Sequence, residues 1–244
     1  MSDLHDDAAR TSSRLQAPAT TGTPTLAEDL LLLLFQPQSG TIAGEGTLYY
    51  ALGGAVLADL GLGGNVRTGS GRMGGMTVQA IAENPPADHL LRACWEYVSE
   101  KPRGVQTVLA AVGPTLREPL LDRLVERGDI RRVTHRMFGL FATSSLDDGA
   151  SRRRASLLDD VRAVLVDGAH PTPRVAALSA LLYGSGTLPQ FDRDIPWVSA
   201  VITRAEKLKA GNWGADATAN AVVRTLTATI VNSVIFAAAA LPRA

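Results

Sequence analysis

A short, wholly apolar run near the N-terminus most constrains how this chain can fold. The run is Leu30–Phe35, and it follows Thr25 and Glu28, whose spacing is that of a helix capping box. In such a box each side chain accepts a hydrogen bond from the backbone N–H of the other residue. We therefore predict a helix that begins near Leu26 and ends before Pro37. Because the run is apolar on every face and too short to cross a bilayer, protein should surround this helix.

A second apolar helix is predicted within Leu48–Gly64, where apolar residues recur at helical spacing. Gly53 and Gly54 stand in its middle, and a glycine weakens a helix interior by about 1 kcal/mol unless another backbone packs close to it. We therefore expect other elements to approach this helix closely at the two glycines.

The rest of the chain alternates helical apolar stripes with glycine and proline turns. Further helices are predicted at Ala87–Glu100, Leu116–Gly128, Ser151–Val166, Thr172–Tyr183, Ile195–Lys209 and from about Asp216 onward. The helix that Gly128 ends has two candidate caps, because Pro119 favours a start at Glu118 whereas Thr115 is the better capping side chain.

Two segments are predicted to form turns or hairpins rather than helices. Ile130–Phe141 is predicted as a hairpin with Met137, Phe138, Leu140 and Phe141 on its second arm, and Gly61–Gly75 as a flexible or hairpin loop. The predicted fold class is therefore mainly α, a single-domain helical bundle with one or two short β-hairpins.

The composition indicates the domain boundaries and the cellular compartment. Residues 1–22 contain hardly any bulky apolar side chains, so they should form a disordered N-terminal tail, and residues 23–244 should form one helical domain. The tail lacks the apolar core of a signal peptide. The single cysteine, Cys94, permits no intrachain disulfide, so a reduced, cytoplasmic setting is expected.

The charges balance, with 24 basic and 24 acidic residues, so no overall field attracts nucleic acid and no nucleic-acid partner is predicted. Only three of the basic residues are lysines, a bias typical of GC-rich bacterial genomes. The four histidines share no metal-ligand spacing, Cys94 has no base beside it, and no serine completes G-x-S-x-G. We therefore predict no catalytic residues, no metal and no cofactor. The alternative, an enzyme whose site is assembled from distant residues, requires a deep polar pocket with convergent titratable groups.

Several motifs follow one another in an order that resembles the Golgi phosphoprotein 3 family. They are LAEDLLLLLF, ALGGAVLADLGLGGN, LREPLLDRLVERGDI, HRMFGLF, RRRASLLDDVRAVLVDG and PTPRVAALSALLYGSGTL. The resemblance extends over most of the chain and implies a helical bundle that carries a hydrophobic β-hairpin. It also implies a peripheral membrane protein that binds phosphatidylinositol 4-phosphate or another anionic phospholipid head group.

The family's head-group residues correspond to four positions of this chain. The family's tryptophan falls at Gly44, its helix arginine at Gly53, and its R-x-x-R pair at Pro114 and Arg117, so only Arg117 is retained. An arginine at a helix N-terminus suits a phosphate, because its donor fork adds to the free helical N–H groups. Each lost charge-assisted contact removes about 1.5 to 3 kcal/mol, so the three losses should weaken head-group binding by orders of magnitude.

A second membrane contact is predicted at the hairpin, where Arg136 lies beside Met137 and Phe138. Basic and bulky apolar residues together suit a membrane interface, although the same apolar side chains would also suit the core. The basic run Arg152–Arg154 is either an ordinary helix start or a contact with anionic lipid.

The resemblance leads us to expect a cytoplasmic protein that lies peripherally at the inner face of the membrane. Its expected partners are anionic phospholipid, other proteins and further copies of itself. The alternative is a helical protein-interaction module that has kept the fold and lost the lipid site.

Overall fold

The computed structural model describes residues 22–71, 75–137, 141–213 and 221–240. The helices within these ranges are α1 Leu26–Leu34, α2 Leu48–Leu62, α3 His89–Ser99, α4 Val105–Val112, α5 Arg117–Glu126, α6 Arg153–Arg162, α7 Pro173–Gly184, α8 Ser199–Lys209 and α9 Ala221–Ala240. The strands are β1 Phe35–Gln36, β2 Thr41–Ile42, β3 Val66–Ser70, β4 Met76–Ala80, β5 Arg103–Gly104, β6 Ile130–Met137 and β7 Phe141–Asp148. The mainly α prediction is confirmed. Residues 1–21 of the predicted tail lie outside the described residues.

Helix α1 is the centre of the bundle, as the apolar run predicts. All nine of its residues are buried, and it contacts α2, α5, α6 and α7. The capping box is present: the Glu28 N–H donates to Thr25 Oγ1 at 3.2 Å, and the Thr25 N–H donates to Glu28 Oε2 at 2.8 Å. The helix ends where Phe35 adopts extended backbone and begins β1. A helix enclosed on every side therefore positions the surrounding helices.

Helix α2 is nearly as buried, and both of its central glycines face other elements at close range. A Cβ atom on Gly53 would lie 3.4 Å from the Cα atoms of Leu109 and Gly113, in α4 and the turn after it. A Cβ atom on Gly54 would overlap the Ile230 side chain of α9. The expected close approach is confirmed, and the packing it permits offsets the cost of glycine in a helix.

The strands form three small antiparallel sheets in the described part of the chain. Strand β1 pairs with β2, β6 pairs with β7, and β4 lies between β3 and β5. Within the glycine-rich segment Gly61–Gly75, Gly61 still belongs to α2, and the rest leads into the hairpin of β3 and β4; residues 72–74 lie outside the described ranges.

Three details of the predicted elements are wrong. Met137 ends the first hairpin strand instead of lying on the second, because the second strand runs from Phe141 to Asp148; Phe138 and Leu140 lie outside the described ranges. Helix α5 starts at neither candidate cap, because a short 3-10 turn precedes it and Leu116 is the cap residue. The Thr115 hydroxyl is not a cap, since it donates to the Val112 carbonyl. Helix α4 was not predicted. The left-handed cap at Gly128 is confirmed, with φ of 72°.

The C-terminal helix α9 packs inside the bundle against α2, α4, α7 and α8. Its residues Leu226, Ile230, Val231 and Val234 are buried. In the described part of the chain, every helix is too short or too polar to cross a bilayer.

Candidate functional site

Two of the four positions that correspond to the family's head-group residues line a small pocket at the start of α2, and the other two adjoin its lining residues in sequence or in space. A cavity of about 320 Å³ is lined there by Glu45, Leu48, Tyr49, Gly113, Pro114 and Arg117, and we name it the Arg117 pocket. Pro114 and Arg117 line it directly. Gly44 precedes the lining residue Glu45, and Gly53 packs against the lining residue Gly113.

The shape of the Arg117 pocket depends on Gly113. A Cβ atom at this position would overlap the Tyr49 carbonyl oxygen, so only glycine allows the turn before α5 to lie against the first turn of α2. Leu48, Tyr49 and Pro114 then supply apolar surface, and Arg117 projects from the first residue of α5. The site therefore pairs one guanidinium group with a mostly apolar wall.

Arg117 is bound to two carboxylates. Its Nη2 lies 2.9 Å from Glu45 Oε1 and its Nε lies 3.4 Å from Glu45 Oε2, while Nη1 donates to Glu118. The hydrogen bond with Glu45 raises the pKa of Arg117 above its usual value, against the opposing effect of partial burial. The face that a phosphate would occupy is therefore held by Glu45.

These contacts continue along the surface. Glu118 Oε2 lies 3.1 Å from Arg132 Nη2, and Arg132 Nη1 lies 2.9 Å from Asp122 Oδ1. We name the series Glu45, Arg117, Glu118, Arg132 and Asp122 the surface ion-pair chain. With three carboxylates and two guanidinium groups, it carries a net charge of −1, so the surface around Arg117 is not basic.

A second set of charges lies inside the bundle around α1. We name it the buried ion network, and its members are Glu28, Asp29, Asp59, Asp129, Arg123, Arg127, Arg153 and Arg174. Glu28 binds Arg127 Nε at 2.6 Å and Arg123 Nη1 at 3.3 Å. Asp29 binds Arg153 Nη2 at 2.7 Å and Arg174 Nη2 at 2.5 Å. The network thus connects α1 to α5, α6 and α7.

The pKa values within the network move in opposite directions. Burial raises the pKa of Asp59 to about 6, because Arg174 and the Leu26 N–H only partly offset it. Burial also acts on Glu28, but hydrogen bonds from Thr25 and Arg127 outweigh it and lower the pKa of that carboxyl. Within the network, Glu28 is therefore stabilised in its charged form, whereas Asp59 is a strained acid whose charged form is disfavoured.

No local sequence pattern reveals the whole network, although one signal of it is present. Glu28 and Asp29 are adjacent charges in a helix predicted to be enclosed on every side, and buried charges require partners. The partners themselves were not visible, because Arg153 is 124 residues from Asp29.

The Golgi phosphoprotein 3 (GPP34) family model matches residues 26–225, from the first residue of α1 into α9. The chain belongs to the Golgi phosphoprotein 3 family. A search of curated proteins gave no significant match. In this family member, the acidic pair of the LAED motif is structural, since Glu28 and Asp29 belong to the buried ion network.

The predicted hairpin contact is only partly described. Arg136 and Met137 are the last residues of β6, and Phe138 lies outside the described ranges, so their contact with a membrane stays a prediction. At the base of the hairpin, Arg131 Nε donates to the Asp148 carbonyl at 3.0 Å, and Arg132 belongs to the surface ion-pair chain. These two arginines therefore have partners within the protein.

The basic run Arg152–Arg154 is divided by the fold. Arg152 is exposed, Arg153 belongs to the buried ion network, and Arg154 is half-buried with its Nε donating to the Phe35 carbonyl at 3.1 Å. The run is therefore not one continuous basic surface.

The described residues contain no group of three or more histidine, cysteine or acidic side chains that could hold a metal ion. Cys94 is buried, and burial raises the pKa of its thiol to about 12. A thiol with such a pKa stays protonated at neutral pH and is a poor nucleophile.

Proposed function

We propose that this protein is a peripheral membrane protein that binds an anionic phospholipid head group, such as phosphatidylinositol 4-phosphate, at the Arg117 pocket. The observation that supports the proposal is one small pocket that two family positions, Pro114 and Arg117, line directly and that Gly53 adjoins through its contact with the lining residue Gly113. Its retained donor, Arg117, has the planar fork that suits a phosphate. The volume of about 320 Å³ is at the lower end of the range for ligand pockets, which suits a single head group.

Displacing Glu45 from Arg117 adds a small free-energy cost to head-group binding. The pair with Arg117 is largely exposed, with 39% and 51% of the two side chains accessible, and such pairs contribute about 0 to 1 kcal/mol. A phosphate that displaces Glu45 thus loses at most about a factor of five in affinity. The missing family donors at Gly44, Gly53 and Pro114 cost more, so binding should be weak and should require a membrane that presents many head groups.

The position of the protein follows from this proposal. It would lie at the cytoplasmic face of the membrane, with Arg136, Met137 and Phe138 as a second contact. It is not an enzyme in this proposal and needs no cofactor. Other proteins and further copies of the chain are proposed partners.

A second candidate function is a helical protein-interaction module. It is favoured by the two carboxylates on Arg117, since Glu45 and Glu118 occupy its Nε, Nη1 and Nη2 atoms. In this case the surface ion-pair chain would contact a partner protein rather than a lipid.

Vesicle flotation separates the two functions. Vesicles of phosphatidylcholine alone, or with phosphatidylinositol or phosphatidylinositol 4-phosphate, are mixed with the wild type and with Arg117→Ala. A matched control is Arg162→Ala, because Arg162 is also an exposed arginine paired with one carboxylate, Asp167. Lipid binding predicts flotation with the anionic vesicles that Arg117→Ala removes and Arg162→Ala keeps. Equal and negligible flotation with all three vesicles would refute it and favour the interaction module.

A further inference from the structure

Arg154 lines a second cavity, at the opposite end of α1 from its capping box. The cavity has a volume of about 560 Å³ and lies between the β1–β2 turn, the start of α6 and the segment 190–194. We name it the Arg154 cavity. Its lining residues are Leu33, Gln36, Gln38, Arg154, Gln190, Phe191, Asp192, Arg193 and Asp194. None of them corresponds to the head-group positions at the Arg117 pocket.

The guanidinium group of Arg154 has free donors in this cavity. Among the described residues its one hydrogen bond runs from Nε to the Phe35 carbonyl, and no carboxylate oxygen lies within 4.0 Å of it. Burial lowers the pKa of Arg154, while the more distant charges of Asp148 and Asp194 oppose this effect. The neighbouring Arg153, by contrast, is fully occupied by Asp29 and Asp129. A half-buried guanidinium with unpaired Nη1 and Nη2 atoms is arranged to bind an anion.

The rest of the lining is fixed by contacts within the protein. The Gln36 amide donates to Gln190 Oε1, which connects β1 to the 3-10 turn before Asp192. Leu33 and Phe191 are buried and supply apolar surface. Asp192 Oδ1 accepts the Trp197 N–H at 2.8 Å. The cavity is therefore built by segments that are held in place.

The charge pattern narrows the chemistry of the occupant. Two arginines, Arg154 and Arg193, are balanced by Asp192 and Asp194, so a bare anion would meet repulsion at one side of the cavity. A molecule with an anionic group and several hydroxyl groups satisfies both sides. The anionic group accepts from the Arg154 fork, and hydroxyl groups donate to Asp194 and bond the glutamine amides.

We propose that the Arg154 cavity binds a phosphorylated polyol, with the phosphate on the Nη1 and Nη2 atoms of Arg154 and the hydroxyl groups on Asp194 and the glutamines. The same chemistry occurs in free polyol or sugar phosphates and in glycerol-based phospholipid head groups. The site is separate from the Arg117 pocket and does not depend on the function proposed for it.

Titration calorimetry on the full chain tests this site with four probes: glycerol 3-phosphate, glucose 6-phosphate, inorganic phosphate and glycerol. We expect at least one of the two phosphorylated polyols to bind at least tenfold more tightly than inorganic phosphate, and glycerol to show no binding. Arg154→Gln should weaken that binding at least tenfold. The matched control Arg152→Gln removes the exposed arginine of the same run and should change the affinity less than twofold.

Vesicles that contain phosphatidylglycerol form the second arm, with Arg117→Ala as the background so that the first pocket cannot contribute. Binding of the vesicles but not of the soluble probes, lost in Arg154→Gln, identifies a lipid head group as the source. Binding of the soluble probes alone identifies a free metabolite.

Two results would overturn the proposal. One is the absence of binding of both phosphorylated polyols and of the vesicles to protein that retains Arg154. The other is equal affinity in the wild type and Arg154→Gln. Should Arg154→Gln fail to fold, Asp194→Ala provides the test, because it removes both side-chain oxygens that accept from the hydroxyl groups and leaves Arg154 in place. It should reduce the preference for the polyol phosphate over inorganic phosphate at least threefold, and an unchanged preference would contradict the proposed arrangement.

Discussion

Arg117 and Glu45 form a side-on ion pair at the start of α2, although 72 residues separate them in the chain. Glu45 neutralises the one head-group arginine that this family member retains. Glu45 is held at Arg117 only by this exposed ion pair, which contributes about 0 to 1 kcal/mol to stability. Any anion that binds Arg117 must therefore compete with Glu45, whereas the pocket itself stays open.

Replacing Glu45 should strengthen lipid binding. Glu45→Gln removes the competing charge, so the affinity for vesicles that contain phosphatidylinositol 4-phosphate should rise about twofold to fivefold, as measured by sedimentation at low salt. The matched control is Glu100→Gln, which makes the same change in net charge at the exposed partner of Arg103. An equal rise in both variants would show that overall charge, and not access to Arg117, controls binding.

The buried ion network should respond strongly to the loss of one carboxylate. Asp29→Asn leaves Arg153 with Asp129 and Arg174 with Asp59 as their remaining counter-charges, so the free energy of unfolding should fall by about 1 to 3 kcal/mol. Urea unfolding measures this change. Asp167→Asn, at an exposed pair with Arg162, should change stability by no more than about 0.5 kcal/mol. A loss below about 1 kcal/mol for Asp29→Asn would contradict the structural role of the network.

Asp59 should give the protein a characteristic pH dependence. Its pKa is about 6 in the folded protein against 3.8 for an unperturbed aspartate, so the folded state retains a proton that the unfolded chain releases near pH 4. The contribution of Asp59 to stability is therefore greatest below about pH 4 and falls as the pH rises to about 6.

The comparison with Asp59→Asn isolates this contribution from that of Glu28, whose lowered pKa acts in the other direction. The free energy of unfolding of the wild type, minus that of Asp59→Asn, should fall by roughly 1 to 3 kcal/mol between pH 4 and pH 7. Urea unfolding at a series of pH values measures it. A difference that stays level or rises with pH would show that Asp59 is not a strained acid.

Gly113 should tolerate no side chain. A Cβ atom there would overlap the Tyr49 carbonyl, so Gly113→Ala should lower the free energy of unfolding by about 1 to 3 kcal/mol and reduce vesicle binding by displacing the pocket wall. The control is Gly46→Ala. Gly46 follows the pocket residue Glu45 in sequence, but a Cβ atom there would meet open space, so this change should alter neither stability nor vesicle binding. Equal thermal unfolding of the wild type and Gly113→Ala would contradict the close approach.

Local patterns predicted much of the fold. The capping box of Thr25 and Glu28, with the apolar run after it, correctly predicted α1 and its burial. The two central glycines of α2 correctly predicted that other elements pack closely against this helix. Helix α4 was missed because it is short and its cap, Gly104, makes no side-chain hydrogen bond. The start of α5 was missed because a 3-10 turn, which neither capping rule anticipates, intervenes.

The candidate sites were harder to predict than the fold. The resemblance located Arg117 at a helix start, but its pairing with Glu45 depends on tertiary contact. The three arginines of the run Arg152–Arg154 are adjacent in the sequence, but each of them lies in a different environment in the structure. In both cases the role of an arginine depends on acceptors that are distant in the chain, which no local pattern records.

The most direct test of the central claim is a titration of the protein with inositol 1,4-bisphosphate, followed by the arginine Nε–H resonances in a nitrogen-15 spectrum. The Arg117 resonance is assigned by its disappearance in Arg117→Lys. Binding at the Arg117 pocket predicts a saturable shift of this resonance, because the phosphate replaces Glu45 as its acceptor, and the shift should saturate at lower ligand concentration in Glu45→Gln. An unchanged Arg117 resonance in folded protein, in both the wild type and Glu45→Gln, would contradict head-group binding at this pocket.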